Sequence, residues 1–148
     1  MTEFHLHNRL GFRVSRLAQI MQSRLEALLV PLGLTRLSWC VLTGVEDERI
    51  TTPSDLAAYI GITRPTMSRL LRGLEARGLI TRKAGQDDGR GVVLELTPQG
   101  RTAHQAARAH VEAEGAHFAA KLTPAQHAVF MQTIAFLDAG ETQSLSGF

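Results

Sequence analysis

A single cysteine, Cys40, stands in 148 residues. An internal disulfide and a Cys-rich zinc site are therefore excluded. Aromatic residues are few, with one Trp and one Tyr. That scarcity, beside frequent Ala, Leu and Arg, argues against a β-sandwich and for helices. No stretch approaches the ~18 uninterrupted apolar residues that a membrane span needs. The first ten residues carry Glu3, His5, His7 and Arg9, not a basic start followed by an apolar run, so no signal peptide is expected. A cytoplasmic protein with no membrane partner is the expectation. There is no Gly-rich phosphate loop, no H-E-x-x-H and no nucleophile elbow. Asp87 and Asp88 are adjacent, but a loop tip holds an acid and a base poorly in register. Neither catalysis nor a cofactor is expected. Excess charge is also slight, at +2. The total thus says little about nucleic acid, and the distribution of charge has to decide.

What is present is 44 % apolar and 20 % charged, enough to bury a real core, and the length fits one domain, or one core with an appended dimerisation layer. Leu10, Val14, Leu17, Met21 and Leu28 recur at helical spacing, which predicts an amphipathic helix from Asn8 to Val30 closed by Pro31 and Gly33. Thr35 reads as the N-cap of a second helix reaching Glu46. Thr52-Pro53 starts a short third helix that stops at Gly61. A fourth runs from Arg64-Pro65 to Arg77. Leu79–Arg82 and Val92–Leu96 read as two strands around a turn-rich tip, Gly85 to Gly91. Thr97-Pro98 opens a long Ala-rich helix from Gln99 to Lys121. Thr123-Pro124-Ala125-Gln126 is a capping box for a last helix through Val129, Met131, Ile134 and Leu137.

A short helix, a tight turn, a second helix and then a hairpin is the layout of a winged helix-turn-helix. The expected fold is mainly α with a small β-hairpin wing. In the fourth helix Met67, Leu70, Leu71 and Leu74 gather on one side. Pro65, Arg69, Arg72 and Ala76 lie opposite, flanked by Thr66 and Ser68. Guanidinium groups and small hydroxyls suit a major groove and its phosphates. Between Ile62 and Arg101 stand eight bases, Lys83 among them, and four acids. That net +4 leaves about −2 for the rest of the chain. A lone arginine on a glycine-rich tip, Arg90, suits a narrow and electronegative minor groove.

From Asp55 to Gly100 these residues resemble the DNA-binding core of MarR-type regulators. The resemblance rests on Thr63-Arg64-Pro65-Thr66-Met67-Ser68-Arg69-Leu70 and on Leu74-Glu75-Ala76-Arg77-Gly78-Leu79-Ile80-Thr81-Arg82. Asp88-Gly89-Arg90-Gly91 and Leu94-Glu95-Leu96-Thr97-Pro98-Gln99-Gly100 complete it. It implies that Arg90 enters the minor groove and that Asp88 shapes the wing by pairing with a nearby arginine. Arg64, Pro65, Thr66, Ser68, Arg69, Arg72 and Lys83 are then the DNA contacts. It also implies a homodimer in which 1–34 and 98–148 form a helical dimerisation region and 35–97 the DNA-binding region. A two-fold dimer predicts a pseudo-palindromic operator. By analogy with the family, repression is the expected direction, answering to a small lipophilic or anionic aromatic effector. Phe12, Arg16 and Trp39 are the candidate effector residues.

Other readings remain beside this one. A winged helix can bind protein instead of DNA, although an apolar or acidic wing would then be expected. A redox sensor would need Cys40, which lies mid-helix beside Trp39 and Val41 without a cationic neighbour in sequence, so an inert thiol is expected. A metal sensor would use His104, His110, His117 and His127. His110 and His117 share a helix face, but no His pair lies four apart beside carboxylates, and no metal is expected.

Overall fold

A computed structural model describes residues 4–85 and 91–141. After a 3-10 turn at Leu6–Asn8, α1 spans Leu10–Leu29, α2 Arg36–Glu46, α3 Pro53–Ile60 and α4 Arg64–Ala76. The strands β1, Ile80–Ala84, and β2, Val92–Leu96, form an antiparallel hairpin, and α5, Pro98–Ala119, and α6, Pro124–Asp138, follow. Threonine side chains cap α2 to α6 through Thr35, Thr52, Thr63, Thr97 and Thr123, each accepting from a backbone N–H. In four of these helices proline follows within the first turn, where its missing N–H costs nothing. The expected capping box is formed, since Gln126 Oε1 also accepts from the Thr123 N–H at 2.9 Å.

Two boundaries differ from the sequence expectation for local reasons. The first helix ends at Leu29, and Val30–Leu32 tightens into a 3-10 turn because Pro31 has no N–H to continue the ladder. The first strand begins at Ile80, not Leu79, and extends to Ala84. Leu79 serves two helix ends, its N–H donating to Leu74 O and its carbonyl accepting from Thr97 N–H, each at 3.0 Å. Pairing runs from Ile80 with Leu96 to Ala84 with Val92. Gly85 N–H then donates to Gly91 O at 2.7 Å.

The core lies where α2, α3, α4 and the hairpin meet α5. Leu42, Leu56, Met67, Leu71, Leu74, Ile80 and Leu94 are among its largest members, all at 1 % exposure or less. Gly61, at φ 82°, ends α3 in a left-handed turn that a side chain would strain, and α4 starts three residues later. Leu94 N–H donates to Thr51 O at 2.8 Å, which pins the hairpin to the loop before α3. Two parts stand outside this core. α6 packs closely on no other described element, and α1 leaves Leu10, Val14, Leu17 and Met21 exposed. No single described helix is long and apolar enough to cross a membrane.

Candidate nucleic-acid interface

The packing of α4 fixes which of its residues face outward. Met67, Leu71 and Leu74 are buried and Leu70 is half-buried, while Arg64, Pro65, Ser68, Arg69 and Arg72 are exposed. Among the described residues none of Arg64, Arg69 and Arg72 forms an ion pair. Their guanidinium donors are therefore available to an outside acceptor. Thr66 differs from the others. It is half-buried, and its hydroxyl shares a 2.8 Å hydrogen bond with the hydroxyl of the capping Thr63. Its polar group is engaged in the start of the helix.

The charge count of this segment overstates what is free. Arg101 donates to Leu96 O at 3.0 Å, and the Arg77 guanidinium lies against Gly33. Arg82 Nε sits 3.3 Å from Glu75 Oε2. Lys83, expected to touch DNA, pairs across the hairpin with Glu95. Both partners of that pair are exposed, so solvent screens it and a phosphate could compete. Asp88 and Arg90 lie outside the described residues.

The structure divides the three candidate effector residues. Phe12 and Arg16 line a groove along α1 of about 460 Å³, together with His7, Arg13, Leu17 and Ile20. Trp39 borders a separate crevice of about 350 Å³ between α1, α2 and α5, where Met21, Leu25, Arg36, Cys40 and Val111 also line the wall. Phe12 meets His7 edge to face at 5.0 Å, so its ring already has a partner on its own segment. Within one chain these three residues do not form one site.

Cys40 is half-buried in that crevice, and burial pushes its thiol up, with Arg36 acting in the opposite sense. The cation absent next door in sequence is thus supplied one turn earlier on α2. Spacing of four on one helix is the signal that would have found it.

A polar network in the core goes beyond the sequence reading. His104 on α5 is 3 % exposed, its Nε2 lies 3.1 Å from Asp47 Oδ2, and its ring stacks on Trp39. A histidine considered as a metal ligand is instead a packed and hydrogen-bonded one. No group of three or more His, Cys, Asp or Glu side chains among the described residues could hold an ion.

The model of the MarR family matches residues 32–91, which run from just before α2 through β1 and end just before β2. The chain is 30 % identical over 125 residues to the HTH-type transcriptional repressor Rv2887 of Mycobacterium tuberculosis, covering 84 % of this chain and 90 % of that one. The solved structure of Rv2887 with salicylic acid superposes with a TM-score of 0.66 at 30 % identity, over 87 % of this chain and 96 % of that one. Two more distant structures share the fold. CouR from Rhodococcus jostii RHA1 bound to p-coumaroyl-CoA has a TM-score of 0.81 at 24 % identity, over 94 % and 98 % of the two chains. A mutant MarR from E. coli complexed with operator DNA has a TM-score of 0.81 at 22 % identity, over 91 % and 99 %. With the winged helix in place and a repressor matched over nine-tenths of its length, this chain belongs to the MarR family of DNA-binding transcriptional regulators.

Proposed function

We infer that this regulator is a homodimeric, effector-responsive repressor that lays α4 in the major groove and its wing against the minor groove. The observation that carries the reading is the outward face of α4, where Arg64, Arg69 and Arg72 stand exposed without an ion pair among the described residues. Ser68 is small and lies among them, so the helix can approach base edges closely. Arg69 and Arg72 are the groove-facing cations. Arg64 and Lys83 flank them toward the phosphates. Arg90 and Asp88 keep their wing roles on the strength of the sequence resemblance alone.

The region 35–97 is the DNA-binding part, and 1–34 with 98–148 the dimerisation part. Supporting this division, α6 leaves Val129, Met131, Phe136 and Leu137 at 52 % exposure or more, and α1 leaves Leu10 and Val14 similarly open. Apolar surface of that extent on two elements marks a protein interface. A two-fold dimer places the half-sites about one DNA turn, ~10 bp, apart. The effector is an anionic aromatic compound. Rv2887, the relative at 30 % identity, is recorded with salicylic acid. The Trp39 crevice offers an indole face for such a ring, and the Arg36 guanidinium on the same wall is paired with Glu26 at 2.9 Å. Gene regulation in the cytoplasm needs neither a catalytic group nor a cofactor.

Binding of genomic DNA tests the reading. Purified full-length protein mixed with sheared genomic duplex at low ionic strength is expected to retain fragments that share a pseudo-palindrome. Retention of no duplex under those conditions, or of fragments sharing no motif, overturns it.

A further inference from the structure

The crevice between α1, α2 and α5 is walled chiefly by apolar groups, Met21, Leu25, Trp39 and Val111 among them. Of the described residues that line it, only Arg36 and Glu114 carry charge. Arg36 Nε donates to Glu26 Oε1 at 2.9 Å. Glu114, on α5, is the sole acid of the wall, and its side chain is 11 % exposed. A carboxylate in that position repels an anion entering the crevice. It is held, however, by both prongs of Arg24 on α1. Nε donates to Oε1, and Nη2 donates to Oε2 at 3.3 Å. This two-pronged pair joins α1 to α5 at the edge of the crevice.

Cations outnumber acids around the pair. Arg24 Cζ lies 5.6 Å and Lys121 Nζ 5.5 Å from the centroid of the Phe118 ring, and His117 meets that ring edge to face at 5.1 Å. Lys121 makes no ion pair among the described residues. The Arg24 bond holds the Glu114 carboxyl below the ordinary carboxylate range, and the charge of His117 acts in the same sense. A Glu114 side chain moved off Arg24 thus keeps a cationic neighbour one turn along α5, which avoids the cost of a lone charge. Arg24 itself is 46 % open to solvent, so its fork can be reached without unfolding either helix. We propose that Arg24 is the anion-binding group of the crevice, occupied in the free protein by Glu114, and that the carboxylate of an aromatic effector displaces Glu114 from it. The guest then replaces a contact between α1 and α5 with one between α1 and itself. α5 carries buried His104 and Ala107 into the DNA-binding core, so loosening α1 from α5 changes how the dimer layer sits on that core. The proposal rests on the effector reading above and adds to it which cation receives the acid.

Isothermal titration calorimetry on the full-length protein compares salicylate with its uncharged amide, salicylamide. Glu114→Gln keeps the shape and an acceptor but gives up the charge that competes for Arg24. It is expected to bind salicylate about ten-fold more tightly than wild type, and salicylamide no differently. Arg24→Gln is expected to bind salicylate about ten-fold more weakly, again with salicylamide unaltered. Should Arg24→Gln fail to fold, Glu114→Gln decides alone. Wild-type salicylate affinity in Glu114→Gln or in folded Arg24→Gln, or a gain that salicylamide shares equally, overturns the exchange and leaves the effector reading standing. Failure of both wild type and Glu114→Gln to bind salicylate overturns both.

Discussion

The imidazole of His104 lies flat against the indole of Trp39, ring centroids 5.1 Å apart and planes 11° from parallel, while its Nε2 meets Asp47 Oδ2 at 3.1 Å. Helices α2 and α5 meet there. Trp39 is on α2 and borders the crevice, His104 is on α5, and Asp47 caps the C-terminus of α2. Any molecule filling the crevice therefore touches the ring that packs on this pair. Coupling between an effector and the DNA-binding surface needs differential contacts in two dimer geometries, and this stack ties α2 to α5.

His104→Ala removes a nearly fully buried ring and its hydrogen bond to Asp47, leaving that carboxylate with Arg108 at 3.7 Å. Cavity formation and the lost hydrogen bond together are expected to cost roughly 2–4 kcal/mol. Urea denaturation checks this, read through the fluorescence of Trp39, the only tryptophan. A loss below ~1 kcal/mol, the size of one ordinary hydrogen bond, would show that the stack contributes little.

Gly100→Ala is expected to be more severe than its size suggests. A Cβ at position 100 would lie 1.9 Å from Leu79 O, a backbone atom that already accepts the Thr97 N–H. Neither side can yield without breaking the start of α5, where Thr97 Oγ1 accepts the Gly100 N–H at 2.9 Å and donates to Gly78 O at 2.6 Å. Overpacking of this kind costs about 3 kcal/mol. Thermal melting of the variant is the measurement, and an unchanged midpoint would refute the close approach.

That same corner shows what was legible. Leu-Thr-x-x-Gly can be read as a helix start from the sequence, because the cap and the proline act on neighbours three residues away. Helix ends, the hairpin and the inner face of α4 were readable for the same reason, each resting on local spacing. The pairing of Trp39 with His104 was not, since the two are brought together only by the packing of α2 on α5. The engagement of Thr66 with Thr63 and of Lys83 with Glu95 depends on rotamers and cross-strand register, which composition does not report. The split between Phe12 and Trp39 has a similar origin. α1 carries Phe12 on its projecting first half, away from the core that holds Trp39.

Cys40 is expected to react slowly with thiol probes. Burial raises its pKa above the ordinary thiol value, and Arg36 only partly offsets that, so the reactive thiolate is scarce at neutral pH. Reaction with a disulfide reagent should be slower than for a free thiol at neutral pH and should accelerate only in the alkaline range. The sign for stability follows. The unfolded chain ionises first, so the contribution of this group is intact below the ordinary thiol pKa of about 8.5 and is lost as pH rises toward the folded value. A fast reaction at neutral pH would return Cys40 to consideration as a redox sensor.

Arg69 and Arg72 separate base reading from phosphate contact. If either bonds a base edge, its change to Ala should cost roughly 1–3 kcal/mol on the operator and relax preference at one position. Both are exposed and make no ion pair among the described residues, so stability should stay within about 0.5 kcal/mol. Competition between the recovered operator and single-position variants reads the preference. An unaltered preference with weaker overall binding would reassign the residue to the phosphates.

The exposed face of α6 makes the most demanding test of the dimer. Phe136 is 73 % and Val129 62 % exposed, and they lie seven residues apart, on one face of the helix. In an isolated chain, replacing both by Asp should change little, because neither is part of the core. Across a two-fold interface the same change buries charge twice over, once from each subunit, which an apolar contact does not tolerate. The double variant is therefore expected to sediment as a monomer with an unaltered far-ultraviolet spectrum. Its affinity for a full pseudo-palindrome should fall by 10²–10⁴-fold, the gain that linking two binding modules confers, while binding to an isolated half-site should hold. A variant that still sediments as a dimer would show that α6 lies outside the interface, and the exposed stripe on α1 would then have to carry association by itself.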